Sequence, residues 1–178
     1  MTTSVNLESV QAELLSEVDA FDVVMGPRSR GDLHRLGLRH RAVHILVFNP
    51  AGEVFLQRRS DTKDINPGLW DTSAAGHVDH GESYDACARR ELAEELGIID
   101  CDLEFLVKLP ASAITGWEFI QVYRVVHEGA LFPNPDEIVG GQWLSGAAVD
   151  AWLAEGGAGL TGSFQHLWRV CRGLLPET

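Results

Sequence analysis

Glu91, Glu94 and Glu95 stand at i, i+3 and i+4. On a helix that spacing stacks three carboxylates within an arc of roughly 100° on one face. Like charges so placed repel by a few tenths of a kcal/mol per pair. In a last turn they also face the negative end of the helix dipole. A hard divalent cation removes both penalties, because Mg²⁺ prefers carboxylate oxygens and keeps waters and substrate phosphates as its other ligands. A solvated charged face is the ordinary reading of such a cluster. The wider spacing points elsewhere. Gly76 is followed after five residues by Glu82, and after seven more by the run Arg90, Glu91, Leu92, Ala93, Glu94, Glu95, Leu96, Gly97, Ile98. Seven specified residues, each used at roughly 7%, coincide at a given start about once in 10⁸. A divalent ion so held suits metal-assisted chemistry on a substrate phosphate: a water made nucleophilic, phosphate charge neutralised, and a carboxylate to take the proton.

Other residues bear on the same chemistry. Arg58, Arg59 and Lys63 form a local basic cluster; a bidentate arginine suits substrate phosphate, and an outward-facing strand end is the competing reading. Glu118 and Glu137 are loop or strand-end carboxylates that could serve as base, although exposed glutamate is the default for each. Trp70 and Trp143 read as core residues in preference to base-stacking platforms.

These residues need a scaffold, and the helix carrying the glutamates is the clearest element, expected over residues 82–96 and stopped by Gly97. Strands are expected at 41–49 and 53–58, joined by a hairpin at Pro50-Ala51-Gly52, and at 72–75, 103–109, 117–126 and 138–144. Helical patterns cover 147–153 and 163–175. Residues 1–17 are polar and partly helical in pattern through Leu7, Val10, Leu14 and Leu15, residues 21–25 form a short β-like run, and 28–41 read as an irregular approach. Strands interspersed with helices predict an α/β fold with a mixed sheet sandwiched between helices. The expected division is an N-terminal extension and first strand at 1–26 and a catalytic domain at 27–178.

The chain has 178 residues, with 14 Lys+Arg against 26 Asp+Glu and a net charge of −12. That acidity argues against a nucleic-acid polymer as partner. No apolar stretch is long enough to span a membrane, and the N-terminus lacks the basic start of a secretory signal. Cys87, Cys101 and Cys171 are odd in number and lack metal-site spacing, which suits a reducing cytoplasm.

The spacing from Gly76 to Ile98 is that of the Nudix box, and the sequence resembles the Nudix hydrolases, which cleave a nucleoside diphosphate linked to another moiety. The resemblance implies a Nudix α/β/α sandwich with the box as loop-helix-loop. It implies Mg²⁺, or Mn²⁺ in its place, held by Glu91, Glu94, Glu95 and the backbone carbonyl of Gly76. Glu82 and Arg90 match the pair that orients those ligands. The base in such enzymes is a box glutamate, here Glu94 or Glu95, or one from a later loop, here Glu118 or Glu137. The partner implied is a small diphosphate substrate, with a homodimer as a family option.

Within that superfamily, residues 38–60 and 63–83 look most like isopentenyl-diphosphate isomerases of the Nudix type and their hydrolase-like cousins. His40 and His77 match histidine ligands of the isomerase metal site, His34 falls one residue out of register with another, and Glu118 lies where the isomerases keep a catalytic glutamate. Their cysteine before the Gly-His pair is Ala75 here, and the box they carry eroded is intact. Hydrolysis is therefore the expected activity, with an isomerase-like enzyme or a non-catalytic nucleotide-binding domain as alternatives.

Overall fold

The computed structural model describes residues 12–175. Its elements are β1 (Leu14–Val18), β2 (Val24–Ser29), α1 (Arg30–Leu36), β3 (His40–Phe48), β4 (Val54–Arg59), β5 (Trp70–Asp71), β6 (Ala74–His77), α2 (Tyr84–Leu96), β7 (Glu104–Leu109), β8 (Glu118–Val126), β9 (Ile138–Leu144), α3 (Gly146–Ala154) and α4 (Gly162–Cys171). A 3₁₀ turn at Arg172–Leu174 follows.

The principal sheet has seven strands. Its main path runs β5-β4-β3-β8-β7, with β6 paired to β3 and β9 paired to β4. β3 and β8 are parallel through nine aligned pairs, from His40 opposite Glu118 to Phe48 opposite Val126. The other pairings are antiparallel, so the sheet is mixed. β3 is buried along nearly its whole length, as expected of a central strand covered on both faces. Its alternation divides two cores. Ala42, Leu46 and Phe48 pack with Val149, Phe164, Leu167 and Trp168 from α3 and α4. Val43, Ile45 and Val47 pack with Cys87, Ala88, Leu92 and Leu96 of α2. Each fully buried Leu, Val or Phe contributes roughly 1.5–3 kcal/mol, so α2 is fixed on the sheet by its apolar face and the glutamates are carried with it. Trp70 and Trp143 both pack against these cores.

The ends of α2 are set by local chemistry. The Ser83 hydroxyl accepts from the Ala86 amide, and Gly97, in the left-handed region at φ 69°, donates to Ala93. The Ile98 amide reaches back to the Leu92 carbonyl at 3.1 Å, so the final turn's carbonyls are capped by the residues that follow it.

The N-terminal segment departs from expectation. Leu7 and Val10 lie outside the described residues. Leu14 and Leu15 belong to a strand, β1, and not to a helix, because Leu15 turns into the core while Leu14 faces out. The β-like run at 21–25 is the hairpin turn and the first residues of β2; the Asp19 carboxylate accepts the Phe21 and Val23 amides there. The stretch read as irregular contains α1, capped by the Ser29 hydroxyl and by Gly37 at φ 62°. At two turns this helix buries one leucine, Leu33, so it shows no period for the eye to follow. The division expected at residue 26 falls inside β2, and Val18 is tied onward to Arg39 by a 2.9 Å backbone bond.

Candidate active site: two clusters on one strand

The box glutamates meet the sheet at β6. A Cβ added to Gly76 would stand 1.9 Å from Glu91 Oε1, so glycine is required where that carboxylate crosses the strand. Glu91 and Glu95 are 8% and 5% exposed, whereas Glu94 opens to solvent. Arg90 organises Glu91 and Glu94. Its Nε and one terminal nitrogen donate to the two Glu82 oxygens, both at 3.0 Å, so the contact across eight residues is bidentate. The other terminal nitrogen donates to Glu91 at 2.7 Å and Glu94 at 3.3 Å. A further bond reaches the His77 carbonyl at 3.1 Å. Burial, then the Glu95 charge, pushes the Glu91 carboxyl up to about 8. Burial likewise pushes Glu95 up to about 7, against the opposing pull of Lys63 and Gln57. Burial would also raise Glu82, but the Arg90 bonds outweigh it and hold Glu82 below the usual range.

Of the basic cluster, Lys63 comes to the glutamates. Its ammonium pairs with Glu137; burial lowers its pKa while the charges of Glu95 and Glu91 oppose that shift. Arg58 and Arg59 instead tie down the loop after β4, donating to Gly68 at 3.2 Å and Ile65 at 3.0 Å respectively. Glu137 is thus at the box, through Lys63, and Glu118 is elsewhere.

Glu118 opens β8 beside a group of imidazoles. His77 Nε2 lies 3.0 Å from Glu118 Oε1, His40 Nε2 3.6 Å from the same oxygen, and His34 Nε2 3.3 Å from His77 Nε2. One donor atom from each of His34, His40, His77 and Glu118 falls within 4.8 Å of the others. His40 is fully buried. Its Nδ1 bonds the Leu38 carbonyl at 2.9 Å and so carries the proton, while Nε2 has no hydrogen-bond partner. A buried orphan lone pair aimed among three potential ligands is the arrangement a divalent transition metal satisfies. Burial, then the neighbouring histidines, lowers the His34 pKa to about 4. His77 is also shifted down, chiefly by burial, against Glu118. Burial would raise Glu118, yet the His77 hydrogen bond and the two neighbouring imidazoles hold it low. The shifts favour neutral His34 and His77 beside an ionised Glu118, which is the ligand state a metal needs.

His34 joins this group despite being a residue out of register. Residues 30–36 form the helix α1, and its turn carries the side chain to the site. Arg30, one turn earlier, went unnoticed in the sequence. It is 7% exposed and grips Asp64 through two bonds of 2.9 and 3.0 Å, joining α1 to the loop that bears Lys63. Its signal was the i, i+4 spacing to His34 behind a serine cap. The fold places no thiol at Ala75. Cys87 lies buried behind β6, its Sγ donating to the His77 carbonyl at 3.2 Å and its thiol pushed up by burial. His44 is separate and bonds Thr72 at 2.8 Å.

The model of the NUDIX domain matches residues 38–161. An uncharacterised Nudix hydrolase of Streptomyces coelicolor is 39% identical over 153 residues, covering 84% of this chain and 83% of that protein. The isopentenyl-diphosphate Delta-isomerase 2 of Photorhabdus laumondii is 34% identical over 139 residues, covering 75% and 77%. A solved Deinococcus radiodurans structure superposes with a TM-score of 0.80 at 31% identity, over 89% of this chain and 99% of that one. The chain belongs to the Nudix hydrolase family, enzymes that act on phosphoric anhydride bonds.

Proposed function

We propose that this protein is a Mg²⁺-dependent hydrolase, with Mn²⁺ able to substitute, that cleaves the diphosphate linkage of a small nucleoside-diphosphate-type molecule. The observation that carries this reading is the buried pair of Glu91, packed on Gly76, and its neighbour Glu95, with their carboxyls raised to about 8 and about 7. Two buried acids so placed are unfavourable as anions until a cation joins them. Bound there by Glu91, Glu94, Glu95 and the Gly76 carbonyl, the ion would neutralise phosphate charge and acidify a water. Arg90, locked on Glu82, keeps Glu91 and Glu94 oriented. Lys63 adds an ammonium on the side of Glu95, suited to a substrate phosphate. Glu94 is far more open to solvent than Glu91 or Glu82, which makes it the favoured base. The substrate is a small molecule and not a nucleic-acid polymer or membrane, and the cytoplasm is the expected location. A homodimer is consistent with the family.

The histidine group favours a second reading, an enzyme of prenyl diphosphates related to the Photorhabdus isomerase. His34, His40, His77 and Glu118 suit a transition metal, but Ala75 supplies no proton donor opposite Glu118. A screen of nucleoside diphosphates, dinucleoside polyphosphates, nucleotide sugars and prenyl diphosphates tests both. Mg²⁺-dependent release of phosphate or nucleotide supports the hydrolase; conversion of isopentenyl to dimethylallyl diphosphate at ordinary enzyme rates supports the isomerase.

A further inference from the structure

Gln57 lies in β4 with its side chain 2% exposed. Its Nε2 donates to Glu95 Oε2 at 2.9 Å and to the Ser73 carbonyl at 3.4 Å. Ser73 is itself immobile. Its amide donates to Ile45 at 3.0 Å, its hydroxyl donates to Phe55 at 2.5 Å, and the same oxygen accepts from the Val47 amide at 2.7 Å. The carboxamide therefore spends its donors on one fixed carbonyl and one box glutamate. Among the described residues no other side chain hydrogen-bonds Glu95; Arg90 serves Glu91 and Glu94.

We propose that Gln57 is a positioning residue for the cation site, setting the carboxylate plane of Glu95 before the ion arrives. This rests on the reading of Glu91, Glu94 and Glu95 as cation ligands. The choice of a neutral donor has a physical reason. With Arg90 already on Glu91 and Glu94 and Lys63 beside Glu95, a further lysine or arginine here would hold the carboxylate equally well but add to the repulsion of the incoming cation. An apolar residue would leave both Glu95 and the Ser73 carbonyl without this partner. A carboxamide orients Glu95 and leaves its full negative charge available. Partners of metal ligands, when removed, commonly cost about 10–100-fold in metal affinity or activity.

The test compares Gln57→Met, which keeps length and loses the donor, with Gln57→His, whose Nε2–H lies about as far from the backbone as the amide nitrogen. Gln57→Leu removes the donor in a second shape should the methionine variant not fold. Leu56→Ala, one residue away and facing the opposite core, controls for plain weakening of the strand. Two quantities are read: the Mg²⁺ concentration giving half-maximal turnover, and the rise in melting temperature on adding Mg²⁺. Gln57→Met is expected to raise the half-maximal Mg²⁺ about 10-fold or more. Its KM at saturating Mg²⁺ should stay within about 3-fold, as expected when substrate contacts are untouched. The Mg²⁺-induced rise in melting temperature should shrink, and Gln57→His should recover both. Leu56→Ala should lower the melting temperature with the Mg²⁺ requirement unmoved. A wild-type Mg²⁺ requirement in Gln57→Met, or an equal change in Leu56→Ala, refutes the positioning role alone. If wild type shows no Mg²⁺ effect on melting or turnover, the cation reading of the box falls and this role with it.

Discussion

Replacing Glu91 by Gln should stabilise the metal-free protein, and by an amount that depends on pH in a defined direction. Burial, then the charge of Glu95, raises the Glu91 carboxyl from 4.5 to about 8 in the folded chain. A carboxyl raised on folding favours the protonated fold, so wild-type stability is lost as pH climbs from about 4.5 through about 8. At about 1.4 kcal/mol per pH unit, the full loss above pH 8 is about 5 kcal/mol. Part of it is repulsion shared with Glu95, so about 3–5 kcal/mol is expected for Glu91→Gln over wild type at pH 9, against about 1 kcal/mol at pH 5. Glutamine keeps an acceptor for Arg90 and nearly the same volume, so packing changes little. The assay is urea unfolding in EDTA at both pH values, followed by the same pair in saturating Mg²⁺. Added Mg²⁺ should stabilise wild type more than the variant, narrowing or reversing the order. Equal stability of the two proteins at pH 9 in EDTA would show that the buried carboxylate carries no penalty, and the case for a cation in this cleft would lose its main support.

Three further outcomes are expected. Arg90→Ala should lower kcat by more than it raises KM, since it removes the fork that orients Glu91 and Glu94; steady-state kinetics showing a change in KM alone would make Arg90 a substrate contact. Gly76→Ala puts a methyl 1.9 Å from Glu91 Oε1 and should destabilise by about 1–3 kcal/mol while abolishing most turnover, measured by urea unfolding beside phosphate release. Isopentenyl diphosphate should not be isomerised beyond trace rates, because a missing acid–base group costs about 10²–10⁴-fold; dimethylallyl diphosphate appearing from labelled substrate would contradict this.

The sequence is most legible where local chemistry and tertiary packing ask for the same thing. The glutamate helix has a glycine stop and a fixed spacing, so its end and the face shared by Glu91, Glu94 and Glu95 could be read directly, while its start lies at Tyr84, behind the Ser83 cap, and not at residue 82. The sheet strands were likewise visible, because β3, β4 and β8 are rich in β-branched and aromatic residues. Residues 14–36 were not. β1 is a strand only because it pairs with β2, a fact that no window of its own sequence contains, and α1 is too short for a period. That misreading carried into the site, since it hid Arg30 and left His34 apparently out of register. Gln57 was hidden for another reason: a glutamine in a strand looks polar and outward until the glutamate beneath it is placed.

The parallel pairing of β3 with β8 puts His40 opposite Glu118. Between those strands the chain runs through β4, β5, β6, the glutamate helix and β7. Closing so long a loop costs entropy before any contact repays it, and such pairings form slowly. The box is more local, since β6 and α2 are consecutive. The carboxylate trio can therefore assemble with its own helix and strand, while the imidazole group stays incomplete until β3 and β8 have paired across that loop. Any ion held by His34 and His77 alone would lack Glu118 until β8 has paired with β3.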